Sequence, residues 1–304
     1  MRVSVTSGLL SIAAVAAALT PQGLLCGADI SNEVLSNSTS EVDKRVISPR
    51  QASQSDQVNI DVHMHILGSD ESYSNLNYDT LMKGFREFQN DFKPAHFNFV
   101  LQSMDWTVDP IWATTNDWIS MTKALHRGNS TSLNVYLVES AAYPSYRTPN
   151  QTKTTRGAEF GTWPGAMITE VVGPMIGVNL DFGQHGLGYG HKDFVFLQIS
   201  EFKADGGKNL VHEAGHWLGL FHTFGGWCVM DSDLVADTPM SEVPGSKEKV
   251  SCNEIDRDSC PDQPGFDPVY NHMHYSQAKC RTEFTPGQIA RMHASWERYR
   301  AVAL

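Results

Sequence analysis

The sequence has few basic residues and no apolar segment long enough to cross a membrane. Lysine and arginine number 23 against 34 aspartates and glutamates, which gives a formal net charge of −11 at pH 7. Because the chain has no basic run and no aromatic residues interleaved with basic ones, we do not expect a nucleic acid as partner. The most apolar stretch, residues 9–19, is shorter than the ~20 residues of a spanning helix. We therefore expect no membrane span.

Cysteine is scarce as well, with five residues and no CxxC pair. The absence of that pair argues against a structural zinc site. Four of the five lie in a loop-rich region towards the carboxyl end, namely Cys228, Cys252, Cys260 and Cys280. In an oxidising compartment we expect two disulfides, and the spacing leaves all three pairings open.

Residues 212–222 read HEAGHWLGLFH and combine three histidines with a glutamate and a glycine at fixed spacing. On a helix, His212 and His216 share a face, so both can direct a ring nitrogen at one metal ion. A helix cannot bring His222 back to the same point, so the chain must turn, and Gly219 permits the backbone angles of such a turn. The spacing predicts a metal site with His212, His216 and His222 as ligands.

Glu213 lies beside the first ligand and one position off the ligand spacing. Three neutral imidazoles leave zinc one open coordination position, where a water has its pKa lowered to ~7. Glu213 is placed to take the proton of that water and to pass it to a leaving amine. The pattern predicts one Zn²⁺ per chain and hydrolysis of peptide bonds. A buried helix with incidental histidines is the alternative, which Gly219 and His222 disfavour.

The motif HExxHxxGxxH resembles the signature of the metzincin clan, and other segments resemble its pappalysin-like (cytophagalysin-type) family, in particular fungal secreted extracellular metalloproteases. These segments are DPVYNHMHYSQAKCRTEFTPGQIARM at 267–292, DTP at 237–239, LNVYLVES at 133–140 and GGKNLVHEAGH at 206–216. The resemblance covers most of the chain from about residue 58 onward. It implies an α/β catalytic domain. A mixed five-stranded sheet and the active-site helix would form an amino-terminal lobe, beside a smaller, irregular, disulfide-bonded carboxyl-terminal lobe that ends in a helix.

The resemblance also assigns roles to residues after the zinc motif. Met273 would be the methionine of the turn beneath the metal, and Tyr275 would donate a hydrogen bond to the developing oxyanion. The chain departs from the family at His274, because the fungal proteases usually have aspartate after the turn methionine, and we expect its hydrogen bonding to differ. The implied disulfides are Cys228–Cys260 and Cys252–Cys280.

The amino-terminal region resembles a secretory leader, so we expect an extracellular protein. We interpret residues 1–28 as a signal peptide, cut between 18 and 28, and residues 29–45 as a polar propeptide that ends at Lys44 and Arg45. Residues 46–304 would form the zinc metallopeptidase domain, which we expect to be a monomer. Cys26, if it survives signal cleavage, is a candidate thiolate cap for the metal in the precursor.

Hydrophobic periodicity predicts several elements. Residues 58–66 alternate as in a half-buried strand, and apolar residues from Leu81 to Phe92 recur as in an amphipathic helix that Pro94 helps to end. Further strands are predicted at 97–101 and 133–137, with a helix at 118–125. The last helix is predicted to begin with a capping box at Thr285, Pro286 and Gln288.

Three weaker patterns remain. His63 and His65 form an HxH, typical of amidohydrolase barrels, but the regular strand and helix repeat of a barrel is absent and we interpret them as polar-face histidines. His185 and His191 flank a glycine-rich segment and receive no role. Asp231, Asp233 and Asp237 offer oxygen ligands for Ca²⁺, with a solvated acidic loop as the alternative.

The sequence contains three N-glycosylation acceptors: Asn37, Asn129 and Asn150.

Two functions follow from these observations. The first is a secreted zinc-dependent endopeptidase that hydrolyses extracellular proteins or peptides with Glu213 as general base. The second is a secreted binding protein on an inactive protease scaffold that retains zinc for structure. The presence of Glu213 favours the first, because an inactive scaffold has no chemical need for that carboxylate.

Overall fold

The computed structural model describes residues 57–70, 77–114, 117–140, 159–161, 193–224, 228, 233–244 and 249–301. The strands are β1 (Val58–Gly68), β2 (Phe97–Val108), β3 (Ser132–Val138), β4 (Glu159–Gly161) and β5 (Val195–Gln198). The helices are α1 (Tyr78–Phe92), α2 (Trp118–Leu125), α3 (Ile199–Asp205), α4 (Lys208–Trp217) and α5 (Pro286–Ser295), and a π-helical turn, Trp296–Arg300, follows α5. None of the helices in these ranges is long and apolar enough to cross a membrane.

The sheet has the strand order β2-β1-β3-β5-β4. The first four strands are parallel, and the three-residue β4 pairs antiparallel with β5 at one edge. The register between β1 and β2 shifts by one residue after Val62. This arrangement confirms the predicted mixed α/β class.

An aromatic layer holds α1 against the sheet. Phe88 and Phe92 lie 4.5 Å and 4.9 Å from Phe99 of β2, measured between ring centroids. Lys93–Ala95 form a 3-10 turn with Pro94 at its start, so α1 ends where the sequence predicts.

The helix α2 has the predicted bounds, while β2 runs seven residues beyond the predicted 97–101, as far as Val108.

The prediction of a half-buried β1 holds for only part of the strand. Asn59 and Asp61 are exposed, but His65 on the same face is fully buried. Its ring stacks on Tyr136 of β3 at 4.8 Å between centroids, and its two nitrogens face Asp105 Oδ1 at 3.1 Å and Asn134 Oδ1 at 3.2 Å. His65 therefore lies on the predicted polar face and makes polar contacts there, but this face does not stay exposed, because a second apolar layer covers this end of the sheet.

The helix α4 is fixed at its start by contacts to its neighbours. The Asp205 carboxylate accepts hydrogen bonds from the N–H groups of Gly207 at 2.8 Å and Asn209 at 2.7 Å. Lys208 pairs with Asp91 of α1 at 2.7 Å. Gly207 has φ +92°, and a Cβ there would lie 2.4 Å from the carbonyl oxygen of Gly84. Only glycine lets α3 and α4 meet α1 this closely.

One hydrophobic core joins the sheet, the helix α4 and the carboxyl-terminal segment. It contains Met64 of β1, Trp217 of α4, Met273, Met292 of α5 and Trp296. Thr285 begins α5 with the predicted capping box: its side chain accepts from the Gln288 N–H, and the Gln288 side chain accepts from the Thr285 N–H. The carboxyl-terminal segment therefore packs directly beneath α4.

Candidate metal centre

Three histidine side chains converge at the end of α4. His216 Nε2 and His212 Nε2 each lie 3.1 Å from His222 Nε2. Zinc–nitrogen bonds of ~2.0–2.1 Å place two tetrahedral nitrogen ligands about 3.3 Å apart. The spacing of the three nitrogens therefore fits one tetrahedral metal ion. Within the described part of the chain, these three histidines are the cluster of ligand-type side chains close enough together to bind a metal.

The opposite ring nitrogens hold the imidazoles in the orientation that ligation requires. His212 Nδ1 donates to the carbonyl oxygen of His272 at 2.7 Å, and His216 Nδ1 donates to that of Leu220 at 2.8 Å. A proton on Nδ1 leaves the Nε2 lone pair for the metal. Burial lowers the pKa of both His212 and His216 well below the usual value, so both rings are neutral at physiological pH.

The turn that brings His222 to the other two ligands is a Schellman motif. The Gly219 N–H donates to the His216 carbonyl at 2.8 Å and the Leu220 N–H to the Gly215 carbonyl at 2.9 Å. Gly219 has φ +94°, a left-handed value that strains any residue with a Cβ. The predicted need for glycine at this position follows from that angle.

Glu213 and Tyr275 both lie at this centre. Glu213 follows the first histidine on α4 and is fully buried. The Tyr275 ring lies 4.8 Å from His222 and 5.8 Å from His212, between centroids. Phe224, which the sequence did not single out, stacks on His222 at 4.7 Å with 11° between the planes.

Met273 lies beneath α4 and is fully buried. A Cβ on Gly215 would lie 2.5 Å from Met273 Sδ, so glycine at 215 lets the methionine approach the helix between the two histidine ligands. The Met273 N–H donates to Asn271 Oδ1 at 2.9 Å, which fixes the turn. Gly215 was not predicted, because nothing within the helix itself requires a glycine there.

Two disulfides cross-link residues 228–280, the segment that contains the Met273 turn. Cys228 pairs with Cys260 and Cys252 pairs with Cys280, the pairing that the family resemblance implied. Arg281, next to the second bridge, is buried and donates to Asn209 Oδ1 of α4. The disulfide-bonded segment is thereby tied to the helix that bears the histidines.

His274 is fully buried after the turn methionine, and its Nδ1 lies 3.4 Å from Ser276 Oγ. The Ser276 hydroxyl donates to the Val269 carbonyl at 2.5 Å. Burial lowers the pKa of His274 to about 4, so the ring is neutral at physiological pH. A neutral imidazole can occupy this interior position without a counter-ion.

The Asp237 carboxylate accepts hydrogen bonds at the start of α5. Its Oδ1 accepts from the Thr285 hydroxyl at 2.7 Å and its Oδ2 from the Gly287 N–H at 2.9 Å, so the carboxylate lies at the positive end of the helix. Asp233 Oδ1 accepts from the Val235 N–H at 3.1 Å. Asp231 lies outside the described residues, and calcium binding stays a prediction.

Of the glycosylation acceptors, Asn129 is exposed in the turn before β3, where its Oδ1 accepts from the Thr131 N–H at 2.9 Å and hydroxyl at 2.7 Å. Several predicted features lie outside the described residues: Asn37, Asn150, Cys26, Lys44, Arg45, His185, His191, the signal peptide and the propeptide.

Replacing Gly219 with alanine is expected to weaken zinc binding and to lower the free energy of unfolding by ~1–2 kcal/mol, because alanine is strained at φ +94°. Gly206→Ala is the matched control. Gly206 also has a positive φ, +66°, and a Cβ there meets nothing within 4 Å. Zinc titration and urea unfolding should show lost stability in both variants and lost zinc affinity only in Gly219→Ala. Equal zinc affinity in the two would contradict this.

Acid should destabilise the fold through buried neutral histidines. Below pH 6.5 the unfolded chain takes up a proton at His274 that the folded protein refuses down to about pH 4. In that window the free energy of unfolding should fall by about 1.4 kcal/mol per pH unit for this histidine. Urea unfolding of the wild type and of His274→Gln between pH 4.5 and 7 should give a shallower pH dependence for the variant. Parallel curves would refute the effect.

The fold and the centre together define a zinc metallopeptidase: a mixed α/β domain whose helix carries two histidines and a glutamate, with a third histidine after a glycine turn and a buried methionine beneath. The peptidase M43 family model, described as pregnancy-associated plasma protein-A, matches residues 193–297. An extracellular metalloprotease of Colletotrichum graminicola is 36% identical over 247 residues, covering 80% of this chain and 78% of that protein. The chain belongs to this pappalysin-like metallopeptidase family.

Other relatives agree. An extracellular metalloprotease of Pyricularia oryzae is 33% identical over 252 residues, covering 82% of this chain and 79% of that protein. A promirolysin mutant of Tannerella forsythia superposes with a TM-score of 0.60 at 16% identity, covering 91% of this chain and 95% of that one. Mirolysin in complex with compound 9 gives a TM-score of 0.54 at 18% identity, covering 80% of this chain and 92% of that one. At such identities the two structures show the fold alone.

Proposed function

We propose that the protein is a secreted endopeptidase in which His212, His216 and His222 hold one zinc ion and Glu213 is the general base. The observation that carries the proposal is the convergence of three Nε2 atoms, two of them 3.1 Å from the third, with the Nδ1 atoms of His212 and His216 donating to carbonyls. This donor set suits zinc, which prefers imidazole nitrogen in tetrahedral geometry. When bound, zinc would polarise the scissile carbonyl and lower the pKa of water towards ~7.

The residues of the chain supply the remaining steps. Glu213 accepts a proton from the attacking water at its carboxylate and delivers it to the nitrogen of the leaving amine. Burial of this carboxylate strengthens its interaction with a nearby proton donor. The Tyr275 hydroxyl donates a hydrogen bond to the oxygen on which negative charge develops, a role that the position of its ring beside His222 supports.

The substrates would be extracellular proteins or peptides, because the relatives are named extracellular metalloproteases. We also propose that residues 1–28 form a signal peptide and residues 29–45 a propeptide. Residues 46–304 would then form a monomeric metallopeptidase domain with two lobes around a cleft. Asn129 and Asn150 would carry glycans. Amino-terminal sequencing of the protein secreted by its host tests the two cuts. A first residue near position 46 supports cleavage after the basic pair, and one between 19 and 29 argues that the propeptide is retained.

Reversible metal dependence tests the activity itself. The mature protein should cleave casein or an internally quenched peptide, lose this activity on treatment with a zinc chelator, and recover it when stoichiometric zinc is restored. Zinc bound at one ion per chain without cleavage of any peptide in a broad library would favour the binding-protein alternative. Cleavage that is indifferent to the chelator would contradict the proposed chemistry.

A further inference from the structure

An arginine of α5 donates a hydrogen bond to the turn between α4 and His222. Arg291 is fully buried, and its Nε donates to the carbonyl oxygen of Gly219 at 2.8 Å. Burying a guanidinium costs free energy unless it is hydrogen-bonded. This long, charged side chain therefore needs hydrogen-bond acceptors inside the core, and the bend at Gly219 supplies one of them.

The backbone carbonyls at the end of α4 show why such a donor is needed. The last carbonyls of a helix have no partner within it. The Schellman bonds use the carbonyls of Gly215 and His216, and Arg300 donates to the Trp217 carbonyl from Nε at 3.0 Å and Nη2 at 2.8 Å. The Gly219 carbonyl lies one residue beyond the C-cap and receives its hydrogen bond from Arg291.

Arg291 also contacts the residue next to the third ligand. Its guanidinium carbon lies 4.5 Å from the centroid of the Phe221 ring, a cation–π contact. One side chain thus contacts both the bend at Gly219 and Phe221, immediately before His222. Arg300 lies over Trp217 and pairs with Asp193, on the helix side of the turn.

We propose that Arg291 is a positioning residue for His222 and thereby sets the affinity of the metal centre without touching the metal. The inference rests on the proposed function. His222 is the one ligand outside α4, so its place relative to His212 and His216 depends on this turn. A planar guanidinium is suited to the task, since it can donate to the carbonyl and stack on the ring at once, whereas a lysine ammonium lacks the flat face.

Zinc affinity of Arg291 variants tests the proposal. Arg291→Met retains a long apolar stem but neither donates nor stacks as a cation, and Arg291→Lys restores a donor. Ile289→Ala is the control: it truncates a side chain of the same helix that packs on the core, two positions before Arg291 and so on a different face of α5. Dissociation constants are measured by competition with a chromogenic zinc chelator at a temperature where all variants are folded, and the absorption spectrum of the Co²⁺-loaded protein reports ligand geometry.

Arg291→Met should bind zinc about 10- to 100-fold more weakly than the wild type, as is typical when a residue that orients a ligand is lost. Its Co²⁺ spectrum should change, Arg291→Lys should recover part of the affinity, and Ile289→Ala should bind zinc as the wild type does. Equal affinity of Arg291→Met and wild type, or an equal loss in Ile289→Ala, would overturn the proposal. If Arg291→Met does not fold, Arg291→Lys decides alone: weaker binding supports the proposal and unchanged binding overturns it.

The same titration separates this inference from the proposed function. A wild type that binds no zinc refutes the metal centre itself. A wild type that binds one zinc ion, beside an Arg291→Met variant with the same affinity and Co²⁺ spectrum, leaves the centre intact and refutes only the role of Arg291.

Discussion

Replacing Glu213 with glutamine is expected to lower kcat by about 10²–10⁴-fold while zinc stays bound at one ion per chain. Glutamine has nearly the same shape as glutamate but cannot accept the proton of the attacking water. Glu213 is fully buried and directly follows His212 on α4. Steady-state cleavage of a quenched peptide, together with zinc analysis of the same samples, checks both parts of the expectation.

Glu87→Gln is the matched control for this loss. Glu87 is an exposed residue of α1, so the same chemical change there should leave cleavage and zinc content unaltered. A Glu213→Gln variant that retains more than a tenth of wild-type kcat would show that another group accepts the proton.

Replacing His216 with alanine is expected to remove zinc and to reduce cleavage to the background of the assay. Two imidazoles remain, and a structural or catalytic zinc site with only two protein ligands is incomplete. The change also leaves the Leu220 carbonyl without the hydrogen bond that His216 Nδ1 donates at 2.8 Å. Zinc per chain after dialysis, measured by mass spectrometry of the metal, should fall from one to near zero.

His293→Gln provides the control for a lost histidine. His293 lies on α5, where its Nε2 donates to the Ala95 carbonyl and its ring stacks on Phe97 at 4.4 Å between centroids. That variant should keep its zinc and its activity. Full zinc occupancy in His216→Ala would mean that the metal is held elsewhere.

The features that sequence reasoning predicted well depend on residues close together in the chain. The ligand spacing of His212 and His216 follows from one helix, the amphipathic pattern of α1 from its own periodicity, and the capping box of α5 from Thr285 and Gln288. Each is decided within a few residues, so tertiary packing had little opportunity to override it. The disulfide pairing came from family resemblance, because spacing alone left three choices open.

The features that sequence reasoning missed depend on contacts across the fold. His65 was predicted to lie on the polar face of a half-buried strand, but Tyr136 of β3 and the apolar layer behind it bury that part of the face. Gly215 is required by Met273, which is 58 residues away in the chain, and Arg291 acts on Gly219, which is 72 residues away. No local periodicity marks such pairs, and a buried arginine cannot be told from an exposed one by its neighbours in the sequence.

X-ray diffraction at the zinc absorption edge, from crystals of the zinc-loaded protein, would locate the metal relative to the three histidines. We expect one anomalous peak per chain at ~2.0–2.1 Å from the Nε2 atoms of His212, His216 and His222, with a fourth position left for water. A peak bound by other residues, or no peak at this site in a protein that still cleaves peptides, would contradict it.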